Sequence, residues 1–276
     1  MKLVNAELLK IRTTPTWWIF GLILLPLYVI SVLINWVSAA AVTSTEQGGG
    51  DVTAQQAEQI RVAGESVNVA TNLYTSGQFM GVLMVLLLGA ILVTNEFFHQ
   101  TATTTFLGTP RRERVVLAKF AASALLALVF WLVLTVLNLI VVPFILHSVK
   151  IGPHLGDPAV WRAIGLNGLA FGLWAILGVG AGVLIRSQIG ATVTLTAVYV
   201  VGSQAFAAVF FLLSTYVADW FTYLQVIMPT TASQLMISGT DLPGSPPRWV
   251  GAAVLIGYTV LMGLIGTAII KRRDVS

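Results

Sequence analysis

The chain has 276 residues, of which 57% are hydrophobic and only 9% charged, with a mean hydropathy of +0.87. Soluble domains carry about a quarter charged residues and disordered chains are poor in hydrophobic ones, so both classes are excluded. The absence of cysteine removes disulfide frameworks, thiol nucleophiles and cysteine-based zinc sites. A net charge of +4 would point a soluble protein toward nucleic acid. Here the bases belong to the flanks of apolar segments, and no nucleic-acid partner is expected. The composition is that of an integral membrane protein.

In chain order, Lys2–Thr14 reads as a short helix ended by Pro15, with Val4, Leu8 and Ile11 on one face. Such a helix can lie in the membrane interface, its bases toward anionic headgroups, or supply ordinary flanking charge. Six stretches then meet the requirement of roughly 20 mostly apolar residues per spanning helix. They are Thr16–Ala39, Gln78–Thr94, Phe120–Leu146, Ala163–Ile185, Ile189–Leu213 and Trp249–Ile270. Long apolar runs rather than weak alternation exclude a β-barrel. The expected fold is all-α, a bundle of six transmembrane helices forming a single transmembrane domain over residues 1–276. Ala39-Ala40-Ala41 resembles a signal cleavage site, but the apolar stretch from Thr16 exceeds the 7–15 residues of a signal core and is read as a retained span.

Between the first two spans, Val42–Gly77 is polar and acidic, with a flexible Gly48-Gly49-Gly50 and a composition over Thr53–Val69 that permits a surface helix. The expectation is a solvated loop. The connection between spans two and three runs Asn95-Glu96-Phe97-Phe98-His99-Gln100, then through threonines to Gly108, Pro110, Arg111, Arg112, Glu113, Arg114 and Lys119. Its threonine-rich part suits a short transverse helix that Gly108 and Pro110 end. A basic loop with no further role is the equal alternative. In span four, Gly168/Gly172 and Gly178/Gly182 are small-xxx-small pairs that permit close backbone approach. Gly178-Val179-Gly180 imitates part of a dinucleotide fingerprint, yet no strand precedes it. The last loop, Ser214–Arg248, holds Tyr216, Trp220, Phe221 and Tyr223 and then Pro229, Pro243, Pro246 and Pro247. A re-entrant hairpin is expected in its first half and an ordered external loop in its second.

Orientation follows the bases near the span ends. Eleven Lys and Arg fall on the side of the N-terminus and four on the other: Arg61, Lys150, Arg162 and Arg248. Both termini are therefore expected to be cytoplasmic. None of the five lysines follows glycine or precedes Ser or Thr, so the chain has no P-loop. It has neither an HExxH pair nor a GxSxG elbow, and His99, His147 and His154 are too scattered for a metal site. No catalytic residue and no metal are expected. The spans hold no ionisable residue away from their edges, unlike ion-coupled carriers. Asn35, Asn138, Asn167 and Gln204 remain, either to line a pathway or to bond helix to helix.

These features resemble the membrane subunits of ATP-binding-cassette exporters, the ABC-2-type permeases of bacteria. The resemblance rests on Glu7-Leu8-Leu9-Lys10-Ile11-Arg12-Thr13-Thr14, on Glu96, Thr101, Thr103–Thr105, Leu107, Pro110, Arg111, Arg112 and Lys119, and on the tail Lys271-Arg272-Arg273-Asp274-Val275. Gln100 stands where that family usually has glycine. The resemblance implies a multi-pass protein of the bacterial cytoplasmic membrane that pairs with a second permease, identical or related, and docks on two separate ATPase subunits. ATP and magnesium would sit on those partners, with no cofactor in this chain. The segment near 97–109 would be the coupling helix, with Glu7, Glu96, Gln100, Thr101, Thr105, Pro110, Arg111 and Arg112 at or near the ATPase contact. Aromatic-rich spans suit a hydrophobic or amphipathic cargo such as a drug, antibiotic or lipid. The alternative reading is a non-transporting membrane anchor, sensor or resistance factor.

Overall fold

Gly77 interrupts the second apolar segment with a φ of +83°, a left-handed conformation that closes one helix and opens the next. The break belongs to a computed structural model of the chain, which describes residues 2–45, 61–100, 112–218, 220–241 and 245–272. On its N-terminal side lies α3 (Ser66–Tyr74) and on its C-terminal side α4 (Gln78–Phe98). Before them come α1 (Lys2–Thr13) and α2 (Thr16–Thr45). After them come α5 (Arg112–Ser148), α6 (Pro158–Leu184), α7 (Gln188–Ala197), α8 (Ser203–Tyr216), α9 (Pro229–Ile237) and α10 (Arg248–Arg272). No strand occurs among the described residues. Six helical stretches are long and apolar enough to cross a membrane: Thr16–Val42, Ser66–Phe98, Glu113–Ser148, Pro158–Leu184, Gln188–Tyr216 and Arg248–Ile269.

Burial separates these six into an axis and a periphery. The most apolar window of the α3–α4 stretch is 83% buried and that of α6 is 67%, whereas the other four range from 11% to 33%. Small residues explain why α4 and α6 make the axis. A side chain at Gly178 would collide with the Leu86 carbonyl, and one at Gly89 with the Ala175 carbonyl. A Cβ on Gly182 would stand 2.6 Å from the Ala90 carbonyl oxygen. Backbone therefore packs on backbone, the geometry by which helices associate where lipid removes the hydrophobic drive between them. The other expected pair behaves differently. Gly168 receives the Trp131 ring of α5, and Gly172 looks onto open space, so this pair admits a side chain rather than backbone on backbone.

The ends of the axis are tied by polar side chains. The Asn138 amide donates to the carbonyls of Tyr74 and Ser76, 3.0 Å each, on either side of the Gly77 break, and accepts from the Tyr28 hydroxyl at 3.0 Å. Carbonyls that the interrupted helix leaves without partners are thus satisfied from α5. Asp157 caps α6 by accepting from the Ala159 amide at 2.8 Å, with Pro158 in the first helical turn.

Several expectations change or sharpen. The solvated loop before the second span contains α3, whose Val69, Ala70, Leu73 and Tyr74 are buried. Their i, i+4 spacing puts them on one face, and Tyr74 anchors it by donating to the Pro153 carbonyl at 2.9 Å. Where a re-entrant hairpin is expected after Ser214, α8 runs on to Tyr216 and one turn follows, Phe221–Leu224, with no buried residue. The inward packing comes later, where α9 buries Ala232, Ser233 and Met236 against Gly251 of α10. The helix that carries the third apolar stretch starts at Arg112, ahead of Phe120. The fifth is split by a π-helical turn, Val198–Gly202, that carries the buried Tyr199. Its hydroxyl donates to the Phe79 carbonyl at 2.7 Å.

Candidate functional site

Both chain ends of the described structure, the close of α4 and the start of α5 lie at one end of the bundle, called here the terminal end. There α1 lies against α5, with Glu7 and Ile11 turned inward. Glu7 and Lys10 are three residues apart, which places them on one face of α1. Lys10 donates to Glu7 at 2.9 Å and to Glu96, at the close of α4, at 2.7 Å. From α5, Lys119 donates to the other Glu7 oxygen at 2.9 Å and pairs with Glu96 at 2.8 Å. Two acids and two bases alternate in a closed ring that joins α1, α4 and α5.

Burial makes this ring unlike a surface ion pair. Lys119 is 3% exposed, Glu7 5% and Glu96 8%, while Lys10 caps the ring from the solvent side. Removing several charges from water is costly, and only the close, multiply bonded geometry offsets it. The Glu7 carboxyl records the balance. Burial pushes it up, but the charge and hydrogen bond of Lys119, joined by Lys10, hold it below the ordinary glutamate range. For Lys10, burial pulls the ammonium down, and its bonds to Glu96 and Glu7 outweigh this and raise it. Nearby, the Arg186 guanidinium from the α6–α7 turn sits 5.5 Å over the Phe97 ring.

The expected coupling residues divide accordingly. Glu7 and Glu96 meet in the ring. Gln100 follows the end of α4 with a φ of +56°, the region in which glycine is at ease. Thr101, Thr105, Pro110 and Arg111 lie outside the described residues, as does the expected transverse helix, and of Arg112 only its place at the start of α5 is described. Counting bases as topology signals hid the ring. Lys10 and Lys119 serve as partners to carboxylates, and the Glu7/Lys10 spacing was the one local sign of it.

The opposite end holds a cavity of about 440 Å³ between α2, α3, the start of α4 and the loop after α9. Five carboxamides line it: Asn35, Asn68, Asn72, Gln78 and Gln234. Hydroxyls of Thr71, Thr75, Ser238 and Thr240 join them, with Phe79 and Ile237 as an apolar wall. Asn68 and Thr240 bond reciprocally, at 2.7 and 3.0 Å. Asn35 donates to Ser76 at 2.8 Å and Gln78 to Ser233 at 2.9 Å. Arg162 and Arg248 donate to the Gly239 carbonyl at 2.6 and 2.8 Å and so hold the loop that forms the rim. Gly239 itself is needed there, since a Cβ would stand 2.5 Å from the Asn68 side-chain oxygen. Of the four polar residues singled out within the spans, Asn35 reaches this cavity and Asn138 bonds helix to helix.

Residues 28–276 match the family model described as "Protein of unknown function (DUF2705)". No curated protein matches the chain.

Proposed function

We propose, from the premise that this chain belongs to the DUF2705 family, whose function is unknown, that it is the membrane permease of a transporter driven by separate ATPases. The observation that carries this reading is the buried ring of Glu7, Lys10, Glu96 and Lys119. It fastens the residues on both sides of the α4–α5 connection to each other and to α1. A push delivered to that connection by a soluble partner would therefore reach two long helices together rather than bend a loop. Through the Gly89, Gly178 and Gly182 contacts it would pass to α6. Such a push does work only if the partner binds one arrangement of the helices better than another. The sequence supports the same reading, having no P-loop and no ionisable residue deep in its spans.

In this reading the terminal end faces the cytoplasm of a bacterial cell, ATP and magnesium stay on the partner, and a second permease completes the pathway. The cargo is an amphipathic compound. Purification from the native host in mild detergent, with and without ATP and vanadate, followed by mass spectrometry, tests it. A soluble ATPase that accompanies the protein and is lost on replacing Arg111 and Arg112 together by Gln is the expected result. A stable complex containing no ATPase would overturn the proposal in favour of an anchor or sensor.

A further inference from the structure

We infer that the cavity at the end opposite the termini is a binding site for an uncharged sugar unit, free or as the headgroup of a lipid. Among the described residues its lining carries no Asp, Glu, Lys, Arg or His. A charged headgroup would lose its hydration there without a counter-charge, a cost that a site of neutral dipoles does not offset. Carboxamides and hydroxyls both donate and accept. That capacity matches a ligand whose every polar group does the same, which is the property of sugar hydroxyls. Part of it is already used, by the Asn68–Thr240 and Asn35–Ser76 bonds. Asn72 and Gln234, both exposed to the cavity side, make no side-chain hydrogen bond among the described residues. They stand on different helices, α3 and α9, so a ligand bonded to both would bridge the cavity.

The apolar wall fits the same ligand. A pyranose presents one face of C–H groups, and the half-buried ring of Phe79 in the lining offers a surface on which that face packs. The volume of about 440 Å³ lies within the roughly 300–1,000 Å³ of small-molecule sites. Asn35 brings α2 into the wall. As a cargo site, the cavity rests on the permease reading; as a binding site it does not.

The protein would be placed in phosphatidylcholine nanodiscs containing glucosyl diacylglycerol, bare diacylglycerol or phosphatidylglycerol, and retained lipid counted by native mass spectrometry. A parallel arm adds free maltose and reads the shift in thermal unfolding. Retention of the glucosyl lipid over both others, reduced roughly tenfold by Asn72→Leu with Gln234→Leu, is expected for two lost hydrogen bonds. The milder pair Asn72→Ala and Gln234→Ala repeats the measurement should leucine disturb folding. Stabilisation by maltose without lipid preference, abolished by the same variants, supports the site with a soluble sugar as its source. Equal retention of all three lipids with no maltose effect would overturn it, as would a preference that the variants leave intact. No ATPase enters this experiment. A chain that binds the glucosyl lipid but never brings down an ATPase would therefore overturn the permease reading alone.

Discussion

The two ends of the bundle meet one physical problem, polar atoms at the limit of apolar helices, with opposite chemistry. At the terminal end, four charges from three helices close on one another, and the ring they form is buried on three of its four members. At the far end, amides and hydroxyls bond in pairs around a cavity. Of the charges at that end, Arg162 and Arg248 hold the Gly239 carbonyl of the rim, and Arg248 also pairs with Asp241 at 2.9 Å. A closed ring of charge fixes helices and rejects change, because any loss strands a buried ion. A lining of neutral dipoles tolerates exchange, because water or a hydroxylated ligand replaces one bond with another at small net cost.

Breaking the ring should therefore give the largest effect. Lys119→Met leaves the buried carboxylates of Glu7 and Glu96 sharing Lys10, one positive charge short of the ring, and is expected to cost about 3–5 kcal/mol, read as thermal unfolding in mild detergent. Adding Glu7→Gln to that variant should restore part of the loss, and a double variant no more stable than Lys119→Met would show that the ring is not a unit. The same measurement across pH sharpens the point. The depressed Glu7 carboxyl contributes stability that is complete above its ordinary value of 4.5 and lost as pH falls through the lower folded value. The raised Lys10 contributes stability complete below 10.5 and lost as pH rises through the higher folded value. Unfolding temperature should thus be level between those limits as far as these two groups govern it, and Glu7→Gln should flatten the acid limb.

Next in size comes Asn138→Leu, which strands the Tyr74 and Ser76 carbonyls at the Gly77 break. A loss of about 1–3 kcal/mol is expected, and an unchanged melting curve would mean that the break needs no external partner. Gln100→Gly should move the other way, gaining about 1 kcal/mol by relieving the left-handed residue after α4. At the far end, Asn72→Leu should change unfolding by no more than about 0.5 kcal/mol in the absence of ligand. A large effect there would show that the cavity residues are structural and would erase the contrast between the ends.

What the sequence disclosed follows from distance along the chain. Spans are local and repetitive, so runs such as Thr16–Ala39 reveal them, and Gly178/Gly182 shows its packing role in a five-residue window. Helix α3 was hidden by polar neighbours, although its Val69/Leu73 and Ala70/Tyr74 spacing was available. The ring was less accessible, since Glu7 and Lys119 are 112 residues apart and Lys10 and Glu96 are 86 apart. Bases at span ends were read by number, whereas their positions relative to acids decide what they do. The cavity draws on α2, α3, α4 and the loop after α9, and nothing in the spacing of its Asn, Gln and Thr residues announces that they converge.

The wide turn at Val198–Gly202 has a consequence for the direction of side chains along the fifth span. An α-helix advances about 100° per residue, and a turn holding one extra residue offsets everything beyond it by about that angle. The halves before and after the turn therefore keep separate azimuths. Tyr199 is sent inward to Trp174, 5.1 Å away edge to face, while Phe206 and Phe210 stack on each other at 4.3 Å farther along. Moving that extra residue by one turn would swing a band of side chains around the axis while leaving both halves helical.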